Sequence, residues 1–207
     1  MPITKVELAI TTTSQVMQFN NLPAAQPPKI TMNGNPVGQI AQKPSNPTGW
    51  QVLVLDPSKD ITSPAAILSN SYINLYPASG SNFWMSTYQF MYTRMLRQTL
   101  LAGNYEQQIL IVASYGLDAN TPPTNDGLHL LLDYGAGPKL QYWETHVDVG
   151  SQVSNGTSWT SFPANYIFVG SSSLSYGQGA EVFERATSNS PVQSTLTTTL
   201  SNFGTES

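Results

Sequence analysis

The chain has 207 residues, of which 40% are hydrophobic and 10% charged, with 8 Lys and Arg, a net charge of -4 and no Cys. That apolar content excludes a disordered chain, the few scattered cations speak against a phosphate-neutralising nucleic-acid surface, and the lack of thiols excludes disulfides, thiolate catalysis and Cys-ligated zinc. The surface must then be covered by Ser, Thr, Asn and Gln, which suits secreted binding modules and packed assemblies.

The first residues, MPITKVELAITTT, carry no basic region followed by an apolar run, so no signal peptide is read. Residues 4–13 alternate Val6, Leu8 and Ile10 with polar neighbours, the pattern of a half-buried strand. Asn33-Gly34 marks a tight hairpin turn, and KPSNPTG at 43–49 is a loop. GWQVLVLDP at 49–57 is a continuous apolar strand stopped by Pro57, suited to a central position covered on both faces. A further strand is expected at 66–76. Ser81 then caps a helix whose stripe runs through Trp84, Tyr88, Met91 and Met95 and which ends at Gly103.

QQILIVASYG at 107–116 reads as a second buried strand. A shorter helix follows, with Thr124 or Asn125 as N-cap, Asp126 in its first turn, Leu128 and Leu132 on its apolar face, and Gly135 as terminator. KLQYWETHVDV at 139–149 reads as a strand, and 150–165 as a polar loop containing Trp159 and Phe162. Tyr166 to Val169 form the third apolar strand, and from Thr187 the Ser/Thr-rich tail reads as a mobile end or an arm lying on a neighbour. No stretch reaches the ~20 apolar residues of a membrane span.

Four motifs bear on function. Gly177-Gln178-Gly179, followed by AEVFERA as a turn of helix, lacks the third glycine of a dinucleotide fingerprint, so it fits a structural turn. Glu144, His146 and Asp148 would share one face of a strand, either as a metal or acid–base cluster or as an ordinary solvated face. Tyr142, Trp143, Trp159 and Phe162 lie among amides and hydroxyls. Flat aromatic faces beside polar groups suit pyranose rings, whose C–H faces are apolar; the alternative is that these rings are core. The Asp118–Asn120 loop follows a buried strand, where loops often carry function.

In order, these motifs resemble the interleukin-like EMT inducer family, which includes the pancreatic-derived factor and the GG domain. PPKITMNG and GWQVLVLDP resemble its early strands, and the helix with Phe83, Met91 and Leu96 its first helix. QILIVASYGLDAN resembles the strand and Asp-containing loop, TNDGLHLLLDYGAG the second helix, and NYIFVGSSSLSYGQGAE the closing strand and glycine loop. The resemblance covers residues 4–185. It implies an α+β fold of two antiparallel β-sheets, sandwich-like and flanked by two helices, with no known catalytic centre. One relative, the stem domain of a protein O-mannose glycosyltransferase, binds carbohydrate, and the domain recurs in surface and phage-associated proteins. Animal members use disulfides, so a Cys-free chain resembles a microbial or phage branch. Residues 144–163 are longer than the family pattern and read as an insertion.

The expectation is a single domain at 1–186 with a tail at 187–207. Its role is a non-catalytic, lectin-like recognition module without cofactor or metal, at a cell or particle surface. The candidate ligand-binding residues are Asp118, Asn120, Tyr142, Trp143, Glu144 and Trp159. The alternative is a structural subunit of a phage virion, tail or similar particle. Either a glycan or further copies of the chain would be its partners.

Overall fold

The computed structural model describes residues 5–14, 27–38, 49–74, 108–118, 125–145, 153–155, 158–160, 163–186 and 191–201. The helix expected at 81–103 lies outside them, as do Asn120, His146 and Asp148. The alternation of Val6, Leu8 and Ile10 becomes β1 (Lys5–Ser14), with every second residue buried. It pairs with β2 (Lys29–Met32), which turns through Asn33 (φ 48°) and Gly34 (φ 79°) into β3 (Asn35–Pro36). Two successive positive φ values are what a two-residue hairpin matched to strand twist requires.

The two continuous apolar runs form β4 (Gly49–Leu55) and β6 (Ile109–Tyr115), buried at every position. They pair antiparallel with each other and lie inside a six-stranded sheet with β5 (Ile67–Asn74), β7 (Leu117–Asp118), β10 (Pro163–Ser171) and β11 (Ala180–Arg185). The order is β11-β10-β6-β4-β5, with β7 added on β10. Residues 180–186, expected as a turn of helix, are therefore largely strand. Their neighbours explain it, because β11 finishes a hairpin whose partner β10 is already fixed in the sheet.

The second sheet has the order β12-β1-β2-β3, where β12 is Val192–Ser201. This segment, expected as a tail or arm, pairs with β1 at all ten of its positions. Val192, Leu196 and Leu200 share one parity, and a Thr-rich strand needs no more than that to cover β1.

The two sheets face each other across one apolar layer, where Leu8, Ile10, Met32, Leu196 and Leu200 meet Leu53, Ile111, Ile167 and Val169. The other face of the six-stranded sheet is covered by α1 (Asn125–Asp133) and α2 (Pro138–Thr145). The described residues thus form three layers, sheet on sheet on helices. Being covered on both faces is why β4 and β6 read as unbroken apolar runs.

Helix α2 corrects the strand expected at 139–149. Pro138 occupies the first helical position, where its missing N–H loses nothing. Leu140 and Trp143, three residues apart, are both buried against the sheet. A strand would have turned them to opposite faces. Glu144, expected to share a strand face with His146 and Asp148, lies in this helix. A short hairpin, β8 (Val153–Asn155) with β9 (Ser158–Thr160), stands within the segment read as an insertion. No helix among the described residues is long and apolar enough to cross a membrane.

Candidate functional site

The glycine loop at 171–179 connects β10 to β11 and lies on the turn that joins α1 to α2. Gly177 N donates to Ala136 O at 3.1 Å and Gly179 N to Gly135 O at 2.8 Å, while Ser171 N donates to Tyr134 O at 3.0 Å. Amides already given to carbonyls cannot cradle a phosphate, and a strand rather than a helix follows them. The loop is a structural turn. Its closeness to the other chain segment depends on Gly170, where a Cβ would overlap the Tyr134 carbonyl oxygen and the Phe168 ring.

This packing sets the position of α2. Glu181, at the start of β11, accepts Lys139 N on Oε1 at 2.9 Å and the Tyr166 hydroxyl on Oε2 at 2.9 Å. Its main-chain oxygen accepts Lys139 Nζ at 2.8 Å. Gly137 precedes Pro138 and offers no capping side chain, so the Glu181 carboxylate serves that role from another element. Burial, and then the nearby Glu181 charge, push the Tyr166 hydroxyl well above the ordinary tyrosine range.

Below α2 the aromatic rings form a cluster. Trp143 stacks on Phe183 with centroids 5.0 Å apart, and lies 5.9 Å from both Trp50 and Tyr166. Trp143 is only 1% exposed, so of the two readings of this residue the structure takes the core one. Its neighbour Tyr142 points outward at 54% exposure, with its ring 6.3 Å from Phe183. Tyr176, in the glycine loop, is 52% exposed and donates its hydroxyl to Gln141 Oε1 at 2.6 Å. Tyr142 and Tyr176 are the large exposed hydrophobic side chains among the described residues, and the Gln141 that Tyr176 bonds is the residue before Tyr142.

Asp118 and Glu144 fall toward one end of the six-stranded sheet, and Trp159 lies in the separate β8–β9 sheet. Asp118 ends β7, with Pro163 at the start of β10 as its Cα partner. Glu144 lies in the last turn of α2, which runs alongside β11 toward that same end. Trp159 sits in β9 opposite Ser154, a few residues before Pro163. The fold therefore gathers Asp118 and the strand that follows the β8–β9 hairpin, while Trp143 is withdrawn into the core. Tyr176, Gln141 and Glu181 went unread in the sequence. Tyr176 gave a signal, an aromatic residue within a polar glycine turn.

Among the described carboxylates, Asp56 and Asp60 serve turns and Glu181 a helix cap. Asp56 accepts Ser58 N and Oγ, and Asp60 accepts Thr62 N and Oγ1. The hydroxyl bonds hold both carboxyls below their ordinary range. Glu184 pairs with Ser194 Oγ between the sheets. No group of three or more metal-ligating side chains comes together among the described residues. The surface built by α2 and the 171–179 loop offers stacking faces, an amide and a cation, which is binding chemistry. No protein-family model and no curated protein matches this chain.

Proposed function

We propose that the chain is a non-catalytic recognition module that binds carbohydrate at a cell or particle surface. The observation that carries this is the exposed pair Tyr142, on α2, and Tyr176, in the glycine loop, whose hydroxyl donates to Gln141, the residue before Tyr142. Two rings offer stacking faces to the C–H surface of a sugar, while Gln141 and the glycine loop supply directed polar groups. The order of the two buried strands, α1, β10 and the glycine loop supports membership of the interleukin-like EMT inducer family, in a Cys-free microbial or phage branch.

The test is a glycan array followed by titration of any hit, comparing wild type with Tyr142→Ala, Tyr176→Ala and Trp159→Ala. Loss of either tyrosine weakens binding about tenfold, equivalent to ~1.4 kcal/mol. Absence of any glycan hit, or hits indifferent to all three substitutions, sinks the reading. A second reading, a structural subunit of a virion or similar particle, is favoured by the 10% charged composition. Its test is whether the purified chain assembles into a particle of defined mass.

A further inference from the structure

The sheet edges of this protein are treated unequally. At one end of the smaller sheet, β3 has two residues and one is Pro36. In the larger sheet, β5 pairs with β4 through a register shift at Val54/Leu55, and β11 carries Glu181, Glu184 and Arg185. Short length, proline, bulges and charge are the means by which proteins keep an edge strand from pairing with another chain. Strand β12 has none of them. It runs for ten residues, VQSTLTTTLS, without a charge or a proline, and its register with β1 is unbroken from Val192 to Ser201. Among the described residues its other edge has no strand partner.

We infer that β12 pairs antiparallel with β12 of a second copy of this chain, joining the two four-stranded sheets into one. Self-complementarity points to a second copy. With the twofold axis at Thr197, Thr195 of one protomer faces Thr199 of the other, and on the opposite face Leu196 meets Thr198 and Ser194 meets Leu200. Threonine pairs across antiparallel strands are favourable, and no like charges are opposed anywhere along the edge. The exposed row Gln193, Thr195, Thr197 and Thr199 stays on the outer face, and Leu196 and Leu200 keep their places between the sheets. The pairing is independent of glycan recognition and holds under either reading of the function.

The experiment is hydrogen exchange of the full chain at low and high concentration, alongside sedimentation or light scattering. A free edge strand exchanges every second amide quickly, because alternate N–H groups face water. Pairing protects them all. The expected result is a concentration-dependent dimer in which consecutive amides of residues 192–201 become protected together, while dilution restores the alternation. The double variant Thr195→Lys/Thr197→Lys weakens the dimer by at least about tenfold through opposed like charges. Its circular dichroism and the protection of β6 stay as in wild type. A wild type that remains monomeric with alternating protection overturns the inference, and so does a dimer formed while the alternation persists.

Discussion

The Tyr166 hydroxyl donates to Glu181 Oε2 at 2.9 Å beneath the helix that the same carboxylate caps. Because the folded protein holds the Tyr166 proton to a higher pH than the unfolded chain does, its contribution is fully present below about 10, the ordinary tyrosine value. It is lost as pH rises beyond that toward the folded value. Urea midpoints should stay level in the neutral range and fall in the alkaline one. Tyr166→Phe should reduce the alkaline fall and cost about 1–2 kcal/mol at neutral pH. An unchanged alkaline slope would assign the titration to another group.

Glu181→Ala removes both the cap of α2 and the acceptor for Tyr166, and should cost about 2–3 kcal/mol. Glu181→Gln keeps one carbonyl oxygen and should recover roughly half of that. Denaturant unfolding measures the total, and amide exchange in residues 138–145 shows whether the loss is local to the helix.

Adjacent residues on α2 should behave oppositely. Trp143→Ala empties the centre of the aromatic cluster and should cost about 3–5 kcal/mol in unfolding free energy. Tyr142→Ala should cost less than about 1 kcal/mol, with its effect confined to ligand titration. Equal losses of stability would mean that Tyr142 is a packing residue as well.

Gly170→Ala forces a methyl group into the Tyr134 carbonyl and the Phe168 ring, so β10 or the 134–137 turn must move. The expected loss is about 3 kcal/mol, read as a lower urea midpoint with little change in slope.

Ending the chain after Ala186 should unfold the domain and not release an arm. Leu196 and Leu200 cover Val6, Leu8 and Ile10, and β1 loses its longest partner with them. Circular dichroism and limited proteolysis distinguish the outcomes. A protease-resistant remainder with native spectra would show that β12 is dispensable.

What the sequence declared was whatever depended on local pattern. β4 and β6 announced themselves as unbroken apolar runs, Asn33-Gly34 as a hairpin, and α1 as an amphipathic segment followed by Gly135. What it concealed depended on distant partners. KLQYWETHVDV has the aromatic content of a strand, but the chain before it ends in Gly137-Pro138, and the carboxylate that caps it comes from Glu181, 42 residues away from Lys139. The Thr-rich segment around Thr197 resembles a tail until β1 is there to pair with it. Trp143 illustrates the limit for the site as well, since its neighbours in sequence are polar while its neighbours in space are rings.

Strands β1 and β12 meet across 184 residues, as the Thr11–Thr195 hydroxyl contact shows. Closing so long a loop is entropically unfavourable until much of the rest has formed. During synthesis at about 5–20 residues per second, β1 emerges roughly 10–40 seconds before its partner exists. Assembly therefore has a built-in order, with the local hairpins first and the inter-sheet layer sealed last. The alternating apolar row of β1 is the segment a chaperone would meet in the interval.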